Sequence, residues 1–150
     1  MKKIPNDIFF DWVEDEISND RSVRFRLKGD SMFPLLRNNK DEVILCPYNE
    51  DDLQPMDVVL FRFKGRHLLH RIIRKEGNHL FLRGDGSYIA KEECFTYDVV
   101  GKVNSVIRPS GKIVSVNAWQ WRLPSYIWQK TGVFRTLLLR ILHYLMRPFR

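Results

Sequence analysis

The sequence of 150 residues lacks any long hydrophobic run. No window holds the roughly 18 consecutive apolar residues that indicate a membrane-spanning helix. The N-terminus does not resemble a secretory signal peptide either, because polar residues and a proline interrupt any apolar stretch after its lysines. These interrupting residues are Pro5, Asn6, Asp7 and Asp11. We therefore expect a cytoplasmic protein whose only membrane contact would be peripheral, on the inner face of the cell membrane.

Cysteine is also scarce, which excludes a scaffold held together by several disulfides. The spacing of Cys46 and Cys94 matches no disulfide framework and no CxxC zinc pattern. Both stand beside apolar residues, where a buried free thiol is the commoner outcome. His67 and His70 are three apart, so a strand would place them on opposite faces and we expect no metal site. The sequence also lacks a phosphate loop and a dinucleotide fingerprint.

Acidic residues are missing from the last part of the chain. Residues 119–150 contain six Lys or Arg and no Asp or Glu, whereas 1–118 are almost neutral, within a net charge of +7. We therefore divide the chain into a β domain at 1–118 and a basic, aromatic tail at 119–150. An acidic partner would meet the tail.

The larger part of the chain shows the pattern of short strands. Val23, Phe25 and Leu27 alternate with basic residues, as in a half-buried strand. Further short apolar runs, separated by turn residues, fall at 43–45, 58–63, 68–73, 79–83, 99–107 and 112–116. Residues 6–18 instead repeat apolar side chains at helical spacing. The sequence predicts an all-β domain of antiparallel strands with a short N-terminal helix.

The tail contains a strongly amphipathic segment, which predicts a C-terminal helix from 133 to 147. Thr136, Arg140, His143 and Arg147 fall on one narrow face, and aliphatic residues cover the opposite side. We weigh two interpretations almost equally, a helix lying in a membrane interface and a helix docked on its own core or on another subunit. The absence of acidic residues and the aromatic residues upstream favour the membrane. Nucleic acid is a poorer partner, because too much aliphatic surface separates the arginines.

Three polar residues stand where a catalytic site would need them. Ser31 follows a strand in Gly-Asp-Ser-Met-Phe-Pro, His70 belongs to an apolar strand face, and Asp85 stands between two glycines. A serine hydroxyl becomes a nucleophile when a base such as neutral imidazole takes its proton, and a carboxylate can orient that imidazole. Each residue alone has a simpler structural explanation, as a turn serine, a buried histidine and a turn aspartate.

Taken in order, these segments resemble the sequence boxes of signal peptidases. Residues 29–34 are similar to their G-x-S-M-x-P nucleophile box, and residues 84–85 to the G-D that follows their second box. The matching segments fall at 29–34, 57–61, 65–66, 70–72 and 84–85. Bacterial members and the related self-cleaving SOS repressors use a lysine base. The endoplasmic-reticulum and archaeal members carry a histidine followed by arginine, and His70-Arg71 is similar to that pattern.

This resemblance implies a serine endopeptidase with a coiled antiparallel β fold, which cleaves a peptide or a precursor protein without a metal or organic cofactor. It implies Ser31 as nucleophile, His70 as general base and Asp85 as supporting acid. It also implies that Met32 and Pro34 contact the substrate.

The chain departs from the family in several places. Gly86 stands where endoplasmic-reticulum and archaeal members usually have asparagine, and Glu92 and Glu93 are the candidate equivalents of their second carboxylate. Gly29 replaces a serine that donates to the oxyanion in some bacterial members, which leaves the backbone N–H groups of Gly29 and Ser31 as the expected oxyanion donors. The absence of an N-terminal membrane span leaves a leader peptide on a cytosolic precursor as a candidate substrate.

Two other functions fit parts of the sequence. A self-cleaving regulator needs a lysine base and an Ala-Gly or Cys-Gly pair upstream of the nucleophile, and no such pair precedes Ser31. A membrane-peripheral binding protein that keeps the peptidase fold without its activity would account for Gly86 and for the missing span. Loss or persistence of peptide cleavage in a Ser31→Ala variant separates the enzyme from the binding protein.

Overall fold

The computed structural model describes residues 6–87 and 91–146, which form an eight-stranded antiparallel sheet with three α-helices. The helices are α1 (Asn6–Ser18), α2 (Trp119–Gln129) and α3 (Arg135–Leu145). The strands are β1 (Val23–Arg26), β2 (Glu42–Cys46), β3 (Val58–Phe63), β4 (Arg66–Glu76), β5 (His79–Arg83), β6 (Glu92–Phe95), β7 (Val99–Ile107) and β8 (Ile113–Ser115). The prediction of a largely all-β, antiparallel fold is confirmed.

The sheet places β4 between β3 and β5. The strand order is β1-β2-β7-β3-β4-β5-β6, with β8 paired to β7 outside this order, and every pairing is antiparallel. β3 and β4 form a hairpin whose two turn residues, Lys64 and Gly65, have φ values of 50° and 76°. Positive φ at both positions is the geometry that two-residue hairpins favour. The hairpin carries His70 into the interior of the sheet, where β3 pairs with one edge of β4 and β5 with the other.

Apolar side chains from the sheet form two separate clusters. One combines α1 with side chains of β1, β2, β3, β7 and β8, and it includes Trp121 of α2. The other lies around Phe61, Ile72 and Leu82 and draws on β3 to β7. Because successive strand residues point to opposite faces, one strand contributes to both clusters. A third cluster joins Phe33, which follows β1, to the two C-terminal helices.

Most elements lie where the sequence places them, with two differences. β6 was not expected, since its four residues include two glutamates and form no apolar run. The tail forms two helices instead of one, because a short 3₁₀ helix (Gly132–Phe134) separates α2 from α3. Arg147, which was expected on the polar face of the tail helix, lies outside the described residues.

Both cysteines are free, as expected, and Cys94 is buried whereas Cys46 is half-buried. Burial, together with the charge of Asp98, raises the pKa of the Cys94 thiol to about 12. Its thiol is therefore protonated at neutral pH and acts as an apolar core group.

Among the helices that the structure describes, none is long and apolar enough to cross a membrane.

Candidate active site

Ser31 lies in a turn whose neighbouring side chains are anchored in two different clusters. Met32 and Phe33 are only 3% and 2% exposed. Met32 packs in the cluster that contains α1, whereas Phe33 packs against the C-terminal helices. The turn is thus fixed by its buried residues, and Ser31 itself remains exposed.

The segment from Gly84 to Gly86 packs directly against the Ser31 turn. The Gly86 N–H donates a hydrogen bond to the Ser31 carbonyl oxygen at 2.8 Å. A β-carbon added at Gly84 would lie 2.4 Å from that same oxygen, and one added at Gly86 would lie 2.3 Å from the Asp30 carbonyl oxygen. Only residues without a side chain permit this approach, which gives both glycines of the Gly-Asp-Gly segment a structural reason.

His70 lies on the other side of Gly84. The pairing of Arg71 with Arg83 places His70, the residue before Arg71, opposite Gly84, the residue that follows β5. A β-carbon at Gly84 would be 3.1 Å from His70 Nε2, and His70 is 7% exposed. The Nε2 edge of the imidazole therefore lies next to Gly84, in the segment that packs against the Ser31 turn.

Glu92 contacts the opposite edge of the imidazole. His70 Nδ1 is 2.9 Å from Glu92 Oε2, and the two side chains are 9% and 13% exposed. Glu92 reaches this position from β6 because it is paired with Leu82 of β5, which is itself paired with Ile72 on β4. A carboxylate at Nδ1 keeps the proton on that nitrogen and leaves Nε2 free to accept one.

Asp85 pairs with Arg71 instead of with the imidazole, so the prediction that it orients His70 is wrong. Its oxygens accept hydrogen bonds from Arg71 Nε at 2.9 Å and Nη2 at 2.7 Å, and Oδ1 also accepts one from Gln129 Nε2 at 2.9 Å. The Arg71 and Asp85 side chains are each 1% exposed. Successive strand residues point to opposite faces, so the Arg71 side chain lies on the face opposite to that of His70. Asp85, the residue after Gly84, meets Arg71 on that opposite face.

The expected oxyanion donors differ from one another in the structure. The Gly29 N–H donates to Asn38 Oδ1 at 2.7 Å, so it is not free to bind an oxyanion, which corrects that expectation. The Ser31 N–H has no hydrogen-bond partner within residues 6–87 and 91–146. A backbone N–H without a partner is a group that can bind an oxyanion.

The two residues expected to contact substrate have different environments. Met32 is a core residue at 3% exposure, which corrects the expectation that a substrate reaches it. Pro34 is half-buried and still reaches the surface.

The Ser31 hydroxyl itself forms no hydrogen bond with any residue in the described ranges. Such contacts are often long in enzymes without substrate and shorten when substrate binds.

The signal for Glu92 in the sequence is weak. It appeared as one of two candidate carboxylates, and the strand that carries it was not expected. The available signal is the alternation within β6, where Glu92 and Cys94 share one face and Glu93 lies on the other. Glu93 is accordingly 61% exposed and contacts His79 at 3.3 Å.

The described residues offer no obvious metal site. Across 6–87 and 91–146, no three His, Cys, Asp or Glu side chains are grouped as metal ligands. His67 and His70 point to different environments, since His67 Nε2 is 2.8 Å from Glu14 Oε1 of α1.

The comparison with models of known protein families and the search of curated proteins both gave no match to this chain.

Proposed function

We propose that this chain is a serine endopeptidase in which Ser31 is the nucleophile, His70 the general base and Glu92 the carboxylate that orients His70. The observation that carries the proposal is the position of the His70 imidazole, with one ring nitrogen beside a carboxylate and the other beside the Gly84 segment. Its Nδ1 is 2.9 Å from Glu92, and its Nε2 lies beside Gly84, against which the Ser31 turn packs. The resemblance of the surrounding segments to signal peptidases supports the same assignment.

The reaction follows from these positions. Ser31 Oγ attacks the carbonyl carbon of the substrate while its proton moves to His70 Nε2, and the Ser31 N–H stabilises the oxyanion that forms. The imidazolium, stabilised by Glu92, then gives that proton to the leaving amine, and an acyl-enzyme remains. Water attacks the acyl-enzyme with His70 again as base, which releases the second product and restores the hydroxyl.

Arg71 and Asp85 have a supporting role in this proposal. Asp85 stands between Gly84 and Gly86, and its buried pair with Arg71 keeps this segment in place. The Asp85 carbonyl oxygen also accepts a hydrogen bond from Trp128 Nε1 at 2.8 Å. Because this segment packs against the Ser31 turn, the pair positions the nucleophile without touching the substrate.

Covalent labelling of Ser31 tests the proposal before any substrate is known. A fluorophosphonate probe reacts with serines that a base activates, and mass spectrometry of the digested protein identifies the labelled residue. We expect labelling of Ser31 in the wild type, none in Ser31→Ala, and labelling slower by about 10⁴-fold in His70→Ala. Cleavage of a mixture of unstructured peptides should fall in parallel.

Two matched variants separate activation from nonspecific reactivity. Ser110→Ala changes an exposed turn serine, and His79→Asn changes a histidine on the neighbouring strand. Both should label at Ser31 like the wild type. A wild-type protein that is folded, resists labelling at Ser31 and cleaves no peptide would support the second candidate, a binding protein that keeps the fold, for which the exposed apolar surface of α2 and α3 is the favouring observation.

A further inference from the structure

α3 buries one side and leaves a second apolar side exposed. Arg135 and Leu139 are its buried residues, and Leu142 and His143 are half-buried beside them. At about 100° per residue, the exposed apolar side chains of this helix, together with Phe134 directly before it, fall in a sector away from the docked side. They are Phe134, Leu137, Ile141, Tyr144 and Leu145, and they are 45–74% exposed.

α2 repeats this arrangement. Trp121, Ser125 and Trp128 are buried at helical spacing and form its docked side. The side chains on the other side are again large and apolar, and their exposure is between 50% and 69%. They are Trp119, Leu123, Tyr126 and Ile127. The docking of the tail on its own core therefore uses only part of its apolar surface.

The exposed apolar surface is concentrated on these two helices and their connection. Of the fifteen large apolar side chains that the described residues expose, ten lie between 119 and 145. The charges on this segment have a single sign, because 119–146 contains no Asp or Glu, and Arg122, Lys130 and Arg140 are exposed. Lys130 Nζ lies 4.9 Å from the centre of the Tyr126 ring, so cation and aromatic surface are adjacent.

We propose that the exposed sides of α2 and α3 bind the surface of a lipid bilayer that contains anionic lipid. Apolar and aromatic side chains would enter the interface while the flanking cations meet anionic headgroups. A second copy of the chain fits less well, since pairing two such faces would bring like charges together with no acidic residue on either helix to neutralise them.

The same helices contact the candidate active site, so this proposal also rests on the proposed function where it concerns substrate. Phe33 stacks on His143 of α3 with ring centres 4.1 Å apart, and Arg135 Nη1 donates to the Ser87 carbonyl oxygen at 3.2 Å. A bilayer bound to these helices would hold the Ser31 turn near the membrane surface. The favoured substrates would then be peptide segments next to a membrane.

Vesicle flotation of the Ser31→Ala protein tests the membrane contact independently of activity. The vesicles are phosphatidylcholine alone or an equal mixture with phosphatidylglycerol. We expect flotation with the anionic vesicles, binding about ten-fold or more weaker with phosphatidylcholine alone, and release as salt is raised. Absence of binding to the anionic vesicles, or equal binding to both kinds, overturns the proposal.

Three variants connect binding to the exposed sides. The double variant Leu137→Glu with Ile141→Glu changes α3, and Leu123→Glu changes α2. Both should weaken binding by about ten-fold or more without altering the melting curve, because these side chains are already exposed. Ile113→Glu is the matched control, since Ile113 is 61% exposed on β8 and should not affect binding.

Light scattering without lipid tests whether a second copy of the chain covers the exposed sides of α2 and α3. A concentration-dependent dimer that the α2 and α3 variants abolish would assign the surface to a second copy and overturn the proposal. The two proposals fail separately. Flotation without labelling of Ser31 removes the peptidase and leaves the membrane contact, whereas labelling without flotation removes the membrane contact alone.

Discussion

Two carboxylates lie near His70, and their surroundings give them different roles. Glu92 is partly exposed and hydrogen-bonds one imidazole nitrogen. Asp85 is buried and accepts two hydrogen bonds from the Arg71 guanidinium. Loss of a charge has a different cost in the two places, because removal of one partner of a buried pair leaves the other charge without compensation.

We expect Glu92→Gln to slow the labelling of Ser31 by roughly 10²–10⁴-fold while the melting temperature stays close to that of the wild type. The amide keeps the size of the side chain but removes the charge that stabilises the imidazolium. Asp85→Asn should instead destabilise the fold by about 3 kcal/mol or more, since Arg71 remains buried. Labelling kinetics and thermal unfolding of the same preparations measure both effects.

Glu93→Gln is the control for this comparison, because Glu93 neighbours Glu92 on β6 and is 61% exposed. It should change neither labelling nor melting. If Glu92→Gln and Glu93→Gln label at the same rate as the wild type, Glu92 does not orient the base. The contact at Nδ1 would then be only structural.

Strand alternation accounts for what the sequence could predict of this site. It placed His70 on an apolar face, where the structure has it beside Phe61, with ring centres 5.9 Å apart. The same rule, applied to Arg71, points that side chain to the opposite face, and the expected role of Asp85 came from motif order instead. Glu92 was harder to assign because its position depends on the pairing of three strands, which includes a register shift between Ile72 and Arg74.

At the scale of elements, α1 is attached to the β3–β4 hairpin by a group of polar contacts. Glu14 of α1 accepts hydrogen bonds from Arg62 at 2.9 Å and from His67 at 2.8 Å, and the His67 ring stacks on Phe10 at 4.8 Å. Burial raises the pKa of the Glu14 carboxyl, but the hydrogen bonds and charges of His67 and Arg62 outweigh it, and the pKa is lowered overall.

This lowered pKa predicts a pH dependence of stability. Because the folded-state pKa of Glu14 lies below the unfolded-state value, the contact stabilises the fold above the ordinary carboxyl value of 4.5 and is lost as pH falls through the folded-state value. We expect Glu14→Gln to lower the free energy of unfolding at neutral pH by at most about 1 kcal/mol, since the pair is partly solvated. At about pH 3 the difference from the wild type should shrink.

Urea unfolding followed by circular dichroism at both pH values measures this difference. Asp11→Asn changes another acidic residue of α1, an exposed one, and should leave the free energy of unfolding unchanged at either pH. A difference between Glu14→Gln and the wild type that stays constant between the two pH values would contradict the assignment. The loss would then come from packing and not from the charge.

The elements themselves were largely predictable, and the exceptions have physical reasons. The spacing of apolar residues predicts α1 and seven of the strands, because each packs an apolar side on the core. β6 gives no such signal, since its pairing with β5 is decided by backbone hydrogen bonds along four residues. α2 ends at Gln129, and Gly132, where φ is 54°, begins the 3₁₀ helix that separates it from α3. Glycine adopts this conformation readily.

At the scale of the whole molecule, the C-terminal helices complete the support of the candidate site. Trp128 packs with Phe33, and its Nε1 donates to the Asp85 carbonyl oxygen at 2.8 Å. Phe33 belongs to the Ser31 turn and Asp85 to the segment behind it, so one side chain contacts both. The sequence did not predict this link, because Phe33 and Asp85 lie 95 and 43 positions before Trp128 and share no motif with it.

We expect Trp128→Ala to destabilise the fold by about 3–5 kcal/mol, since it empties a large buried site. Trp128→Phe removes the N–H donor and a smaller part of the ring, so it should cost less, about 1–2 kcal/mol, and preserve the fold. It should nevertheless slow the labelling of Ser31, because the Asp85 segment loses one of its supports. Trp119→Ala is the control on the same helix: Trp119 is 69% exposed, and without lipid it should change neither property.

Labelling rates measured in buffer without lipid, and expressed per folded molecule, decide between support of the site and support of the fold. If Trp128→Phe melts at a lower temperature but labels at Ser31 as fast as the wild type, the C-terminal helices stabilise the protein without positioning the nucleophile. If labelling slows while the protein remains fully folded, the tail is part of the catalytic structure. Any membrane contact made by the exposed sides of α2 and α3 would then act on the site through Trp128 and Phe33.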